Sequence, residues 1–259
     1  MDILVCVKRV PTVGGAITLT ADRQAIDTKA SGFTISPHEE CAVEEAVRLV
    51  ERFGGSVTVV SLGPAAAEEQ LRACLALGAT AAVLLETADG AETGPVATAA
   101  ALHSVAAAGS FDLVLLGNEA SDTGDYQVGI RIAHLLGRPV ATAIKAIAVT
   151  DDGSVLSAAR TYRGVLETFT LPLPCVVTVK EGINLPRYPS LPGRLRAKRA
   201  PVTRLPAAGA VPPEVTAPDI RMTSLRVPET PRKQATVLGR GADAVPALVS
   251  VLAELGVIS

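Results

Sequence analysis

From Met1 to about Val149, short apolar runs alternate with segments of helical period. ILVCVK at Ile3, SVTVVSL over Ser56–Leu62, AAVLLE over Ala81–Glu86, DLVLLG over Asp112–Gly117 and VATAIKAIAV over Val140–Val149 are rich in Val, Ile and Leu and predict strands. The clearest helix follows Ser36. Ser36 can cap it, Pro37 takes the first helical position, and Glu39 completes an S-x-x-E capping box. Val43, Ala46, Val47 and Val50 form its apolar stripe, Glu44 and Arg48 pair at i, i+4 on the other face, and Gly54-Gly55 ends it. Further helices are predicted over Ala65–Leu77, Pro95–Ala107 and Gln127–Leu136. Strand and helix repeated in this way call for an α/β fold, a doubly wound and mostly parallel sheet with helices on both faces. Ligands of such sheets bind beyond the carboxyl ends of the strands, where the strand order reverses.

After Val149 the pattern changes. Turn signals at Asp152-Gly153 and Arg163-Gly164 separate alternating stretches, which predict an antiparallel extension, and Cys175–Lys180 reads as one more sheet strand. From Gly182 onward periodicity is weak and proline dense, so residues 183–259 are expected to be a linker or an arm ordered by a partner, appended to a domain of residues 1–182. Within that arm, Ala242–Val257 regains helical spacing.

Composition narrows the function. The chain has 259 residues, 48% hydrophobic but only 3% aromatic with no Trp, which favours aliphatic helix-on-sheet packing over a base-stacking surface. A net charge of −2 argues against a general nucleic-acid binder. Cys6, Cys41, Cys74 and Cys175 lie far apart in apolar elements and read as buried, reduced thiols. The apolar run at the N-terminus is too short for a signal segment, and no stretch has the length of a membrane span, so a cytoplasmic, soluble protein is expected.

The segment after DLVLLG is an acidic loop of small residues leading into a helix. Free backbone N–H groups and the positive helix end attract anions there without a basic side chain. Ala120, Ser121, Thr123, Gly124, Val128 and Gly129 would form a phosphate cradle, with Asp122 or Asp125 accepting from a ribose hydroxyl or fixing the turn; the alternative is a solvated acidic loop. The stretch lacks GxxxxGK[ST], and its aspartates would repel a triphosphate. The helix start at Ser36-Pro37-His38-Glu39 can line the same crevice, although capping alone accounts for Ser36 and Glu39. No metal-ligand spacing, GxSxG or HExxH is present. The run Arg187–Arg204 is basic, yet Tyr188, Leu191 and Leu195, separated by prolines, suit a stiff loop docking into a protein groove.

LVCVKRVP, SPHEECAVEEAVRL, SLGP, LALGA, DLVLLGNEASDTGDYQVG, LETFTLPLPCVVTV and LPRYPSLPGRLRAKR occur in this order over roughly residues 1–200, and together they resemble the β subunit of electron transfer flavoprotein. The resemblance implies an adenine-nucleotide-binding, Rossmann-like fold in a heterodimer with a homologous α subunit. FAD would lie chiefly in the α subunit with its ring facing this chain, receiving electrons from acyl-CoA or similar dehydrogenases and passing them to a quinone-linked or other acceptor. The chain would then be an electron-carrier subunit and not itself an enzyme. AMP would occupy the β site as a structural nucleotide at positions matching Cys6, Ser36, Pro37, His38, Glu39, Leu62, Ala120, Ser121, Asp122, Thr123, Gly124, Asp125, Tyr126, Gln127, Val128 and Gly129. The ending Gln127-Val128-Gly129 is similar to that of an electron-bifurcating branch, which places a second FAD there. Glu167, Tyr188, Leu191 and Arg194 match partner-facing positions, with Leu191 as the anchor. A non-redox nucleotide-binding assembly module is the alternative of another class.

Overall fold

The computed structural model describes residues 1–12, 14, 17–29, 31–88, 93–207, 223–228 and 235–258. Its centre is a seven-stranded parallel sheet. The contributing strands are β1 (Asp2–Cys6), β4 (Ser56–Gly63), β5 (Ala81–Glu86), β6 (Leu113–Gly117), β7 (Val140–Ile144), β11 (Cys175–Val179) and β12 (Thr203–Pro206), in the order β12-β5-β4-β1-β6-β11-β7. A short pairing of β2 (Val10–Pro11) with β3 (Phe33–Thr34) lies between β1 and the first helix.

Two apolar layers sandwich the sheet. On one face α1 (Pro37–Phe53) and α2 (Glu68–Leu77) bury Val43, Val47, Leu71 and Leu75 against Ile3, Val5, Val57 and Val59. On the other, α3 (Pro95–Ala108) and α4 (Val128–Leu136) bury Leu102 and Ile132 against Leu4, Val60 and Leu116. Alternate residues of one strand thus serve opposite layers, as the two-residue period of a strand requires. All four cysteines are buried and free.

The expected antiparallel extension is β8 (Ala146–Val149), β9 (Val155–Tyr162) and β10 (Val165–Pro172) in the order β10-β9-β8, with Arg163-Gly164 at the tight turn. The run Val140–Val149, expected to be one strand, divides between two sheets. Ala143 has φ 59° and its N–H donates to Thr178 Oγ1 at 3.1 Å, after which Lys145 N–H donates to Ala159 O at 2.8 Å. Alternation of apolar residues does not reveal such a corner.

The proline-rich stretch, expected to be irregular, contains α5 (Leu191–Arg199) and β12. Ser190 Oγ accepts from Gly193 N–H at the start of α5, and Ala197 is buried against α2. Arg72 of α2 donates from Nη1 to the carbonyls of Ala197 (2.6 Å) and Ala200 (3.2 Å), closing the other end. This compact unit runs from Met1 to Leu225. Residues 226–259 form a second unit, in which a 3-10 turn (Gly241–Ala244) leads into α6 (Val245–Glu254) within the helix expected over Ala242–Val257. The parts of the expected arm at 208–222 and 229–234 lie outside the described residues.

Candidate functional site

β1 has β4 on one side and β6 on the other, while the chain proceeds from β1 through α1 to β4 and reaches β6 only later. The strand order therefore reverses between β1 and β6, which in sheets of this kind puts the ligand crevice beyond their carboxyl ends. Its walls are the residues after β1, the first turn of α1, and the loop from Asn118 to Gln127 that enters α4.

The first turn of α1 sits directly on the end of β6. A Cβ at Gly117 would lie 2.8 Å from Glu39 Cγ and 3.1 Å from His38 Cβ, so only glycine permits the approach. Glu39 is buried, and its Oε2 accepts from the N–H of Lys8 at 3.0 Å and of Ser36 at 3.3 Å. One carboxylate thereby joins the exit of β1 to the entry of α1. Burial pushes the Glu39 carboxyl up to about 8, against the opposing pull of those two amides and the Lys8 charge.

Lys8 reaches across the crevice. Its Nζ lies 2.8 Å from both Asp122 carboxylate oxygens and 3.3 Å from Thr123 Oγ1, tying the β1 side to the loop after β6. Ser36 Oγ donates to Glu119 O at 3.5 Å. His38 Nδ1 is 3.9 Å from Glu119 Oε1, and burial lowers the His38 pKa, partly offset by Glu119. The Tyr126 hydroxyl is held by Glu119, which raises its pKa, and Tyr126 adopts φ 58°. Behind the loop, Asn118 N–H donates to Val179 O, and Asn118 Oδ1 accepts from Thr178 Oγ1 at 2.8 Å. These bonds fix the loop's root to β11 while Ser121, Asp122, Thr123 and Tyr126 stay exposed.

The positions expected at a nucleotide therefore come together but are not equivalent. Cys6, Ser36 and Glu39 are buried, with the Cys6 thiol pushed far up by burial. Leu62 packs on the α3–α4 layer at the end of β4. Pro37 is exposed and His38 half-buried at the helix start, and Ala120, Gly124, Asp125, Gln127 and Val128 are half-buried around the loop. Gly129 points elsewhere: a Cβ there would collide with Thr178 Cγ2 of β11, so its bareness serves the packing of α4 on the sheet. Among the described residues no cluster of His, Cys, Asp and Glu is placed to hold a metal ion.

The family model described as the electron transfer flavoprotein domain matches residues 25–210. Electron transfer flavoprotein subunit beta of Bacillus subtilis is 34% identical over 256 residues, covering 97% of each chain. The Homo sapiens subunit beta is 35% identical over 259 residues, 99% of this chain and 98% of that protein. The chain belongs to the electron transfer flavoprotein β-subunit family. The mitochondrial subunit beta of Arabidopsis thaliana, 35% identical over 206 residues, covers 79% of the chain and 81% of its own length.

For a flavoprotein β subunit, the surfaces away from the crevice also matter. Glu167 of β10 pairs with Arg160 of β9 at 2.7 Å, and Arg160 also donates to Thr142 O. The hairpin tip beyond it exposes Tyr162, Val165 and Leu166. Tyr188 is 94% and Leu191 71% exposed at the start of α5, with Arg194 exposed beside them. The basic run is largely engaged by the domain itself: Arg187 binds Glu44 and Glu51, Arg196 Nη2 donates to Leu75 O, and Arg204 binds Glu68 and Glu86. Glu44 forms the expected i, i+4 pair with Arg48 and is buried beneath Arg187 and Arg48. No described helix is long and apolar enough to cross a membrane.

Sequence reading missed Lys8, Asn118 and Thr178. The signal for Lys8 was its position two residues past a strand end, opposite a loop with more acid than base.

Proposed function

We propose that this chain is the β subunit of a heterodimeric electron transfer flavoprotein, with AMP in the crevice between β1 and β6 and FAD shared with the α subunit that a β subunit implies. Electrons enter from acyl-CoA or similar flavin-dependent dehydrogenases and leave to a quinone-linked or other acceptor. FAD supplies the redox chemistry when bound; AMP supplies none.

The observation that carries this reading is the crevice itself, at the strand reversal of a chain in this family. Its donor set suits a phosphate of low charge. The first-turn amides of α4 have no acceptor within the helix, and in the loop that leads into it the Lys8 ammonium meets the Thr123 hydroxyl, with Ser121 and Thr123 small and exposed. Glu119, Asp122 and Asp125 in the same loop oppose a triphosphate. Ser36, His38 and Glu39 would shape the wall facing the nucleoside, mainly through backbone and packing, because Ser36 and Glu39 are buried. Tyr188, Leu191 and Arg194 would meet the dehydrogenase, while Glu167 lies on the hairpin that would face the α subunit and its flavin.

The experiment is co-expression with the α-like subunit, acid release, and chromatographic quantification of nucleotides per heterodimer. One FAD and one AMP are expected. Two FAD and no AMP would move the chain to the bifurcating branch that Gln127-Val128-Gly129 resembles, and an absence of flavin would overturn the redox reading.

A further inference from the structure

The loop that would take the phosphate is acidic, yet a cation enters it from outside. Lys8 leaves the end of β1 with its N–H fixed by the buried Glu39 carboxyl, and its ammonium contacts both oxygens of Asp122 and the hydroxyl of Thr123. The Lys8 and Asp122 side chains are 39% and 21% exposed, so the pair lies at the mouth of the crevice and is accessible from solvent. We propose that Lys8 is the specificity-determining cation of this site, held by Asp122 against the loop so that a single phosphate group of a nucleotide is accepted there. The inference rests on the reading of this crevice as a nucleotide site.

Without Lys8, an arriving phosphate meets Glu119, Asp122 and Asp125 with only amide and hydroxyl donors to offset them. With Lys8 bonded to Asp122, one carboxylate is neutralised, and of the three ammonium hydrogens the one not directed at Asp122 or Thr123 is left to meet a phosphate at the loop that enters α4. The remaining two carboxylates still disfavour each further phosphate charge. Asp122 is thus a holder of Lys8 and not a ribose acceptor. A lysine free to swing would pair equally with any carboxylate, but Glu39 fixes its backbone. The Glu39 bond fixes where the Lys8 side chain starts, and the contacts with Asp122 and Thr123 hold its ammonium at this loop.

The test uses the full chain, dialysed free of nucleotide, with adenosine, AMP and ADP titrated by calorimetry at two salt concentrations. Charge-assisted hydrogen bonds of this kind correspond to about 10- to 100-fold in affinity. Lys8→Met is expected to weaken AMP by that factor, leave adenosine unchanged, and flatten the dependence of AMP affinity on salt. Lys8→Arg should recover part of the loss. Asp122→Asn, which removes a repelling charge and releases Lys8, should narrow the preference for AMP over ADP. Unchanged AMP affinity in Lys8→Met, or equal losses for AMP and adenosine, would overturn the role of Lys8 while leaving the nucleotide site standing. Failure of the unsubstituted chain to bind either ligand would instead overturn the nucleotide reading, and this inference with it.

Discussion

Arg187 and Lys8 are both cations that reach a carboxylate on another element, and their surroundings differ. Arg187 donates from its backbone N–H, Nε and Nη2 to Glu44 and from both terminal nitrogens to Glu51. The Glu44 side chain is only 2% exposed. Lys8 uses one ammonium on a loop whose tip is exposed. The first arrangement is closed: forked donors meet two carboxylates and leave little for a ligand to take. The second is open, since a phosphate can approach the same ammonium without uncovering a buried charge. Segment 183–206 is therefore built as a clamp and the crevice as a receptor, although both are dense in charge.

The largest effect is expected on the clamp. Burial opposes ionisation of Glu44, but the hydrogen bonds from Arg187 and Arg48 outweigh it and hold its pKa below the usual range. Arg187→Ala leaves that carboxylate buried with Arg48 as its remaining partner, and breaking a buried pair from one side costs about 3 kcal/mol or more. The urea midpoint should fall, and proteolysis between Gly182 and Leu191 should accelerate, while AMP affinity stays within twofold, roughly the spread of a distant, uncoupled site. Loss of AMP binding in a folded Arg187→Ala chain would show that clamp and crevice are one unit.

This division was only partly legible beforehand. The strands of the central sheet other than β12, and the boundaries of α1, follow from local signals: apolar runs, Ser36 with Pro37, and Gly54-Gly55. What escaped is non-local. LPGRLRAKR carries too few apolar residues to announce a helix, and α5 forms because Arg72 closes its carbonyl end and Ala197 finds a place against α2. Glu44 and Arg48 do pair at i, i+4, but no helical pattern indicates that Arg187, far along the chain, will cover them. In the crevice the acidic loop was visible, and the cation that balances it was not, because the pairing of Lys8 with Asp122 depends on β1 and β6 being neighbours.

Glu39 supplies the next effect, specific to the crevice side. With its folded pKa raised to about 8 from the ordinary 4.5, the folded chain keeps a proton that the unfolded chain has already released between those two values. Stability from this group is therefore fullest at acid pH, falls as pH rises through that window, and levels off above it. Glu39→Gln keeps an acceptor for the Lys8 and Ser36 amides and cannot ionise. Its urea midpoint should match the parent near pH 5 and exceed it increasingly toward pH 8. A constant difference across that range would mean that Glu39 is ionised throughout, stabilised by the two amides and Lys8 more than burial opposes.

Leu191→Ala should change the isolated chain least, which makes it the sharpest probe of what the clamp is for. Leu191 opens α5 with 71% of its surface exposed, so truncation removes little buried area. Its effect on stability should stay within about 0.5 kcal/mol, as for surface positions generally. If the clamp exists to present Tyr188, Leu191 and Arg194 in fixed positions, the variant heterodimer should keep its flavin and its AMP yet accept electrons more slowly from a reduced dehydrogenase. The deficit should appear at low dehydrogenase concentration and shrink at saturation, because an anchor residue contributes to the encounter and not to the transfer itself. Loss of flavin would instead assign Leu191 to the α-subunit interface. The rigid segment would then hold the two subunits together, and dehydrogenase recognition would have to lie elsewhere, with the exposed Tyr162, Val165 and Leu166 hairpin as the next surface to test.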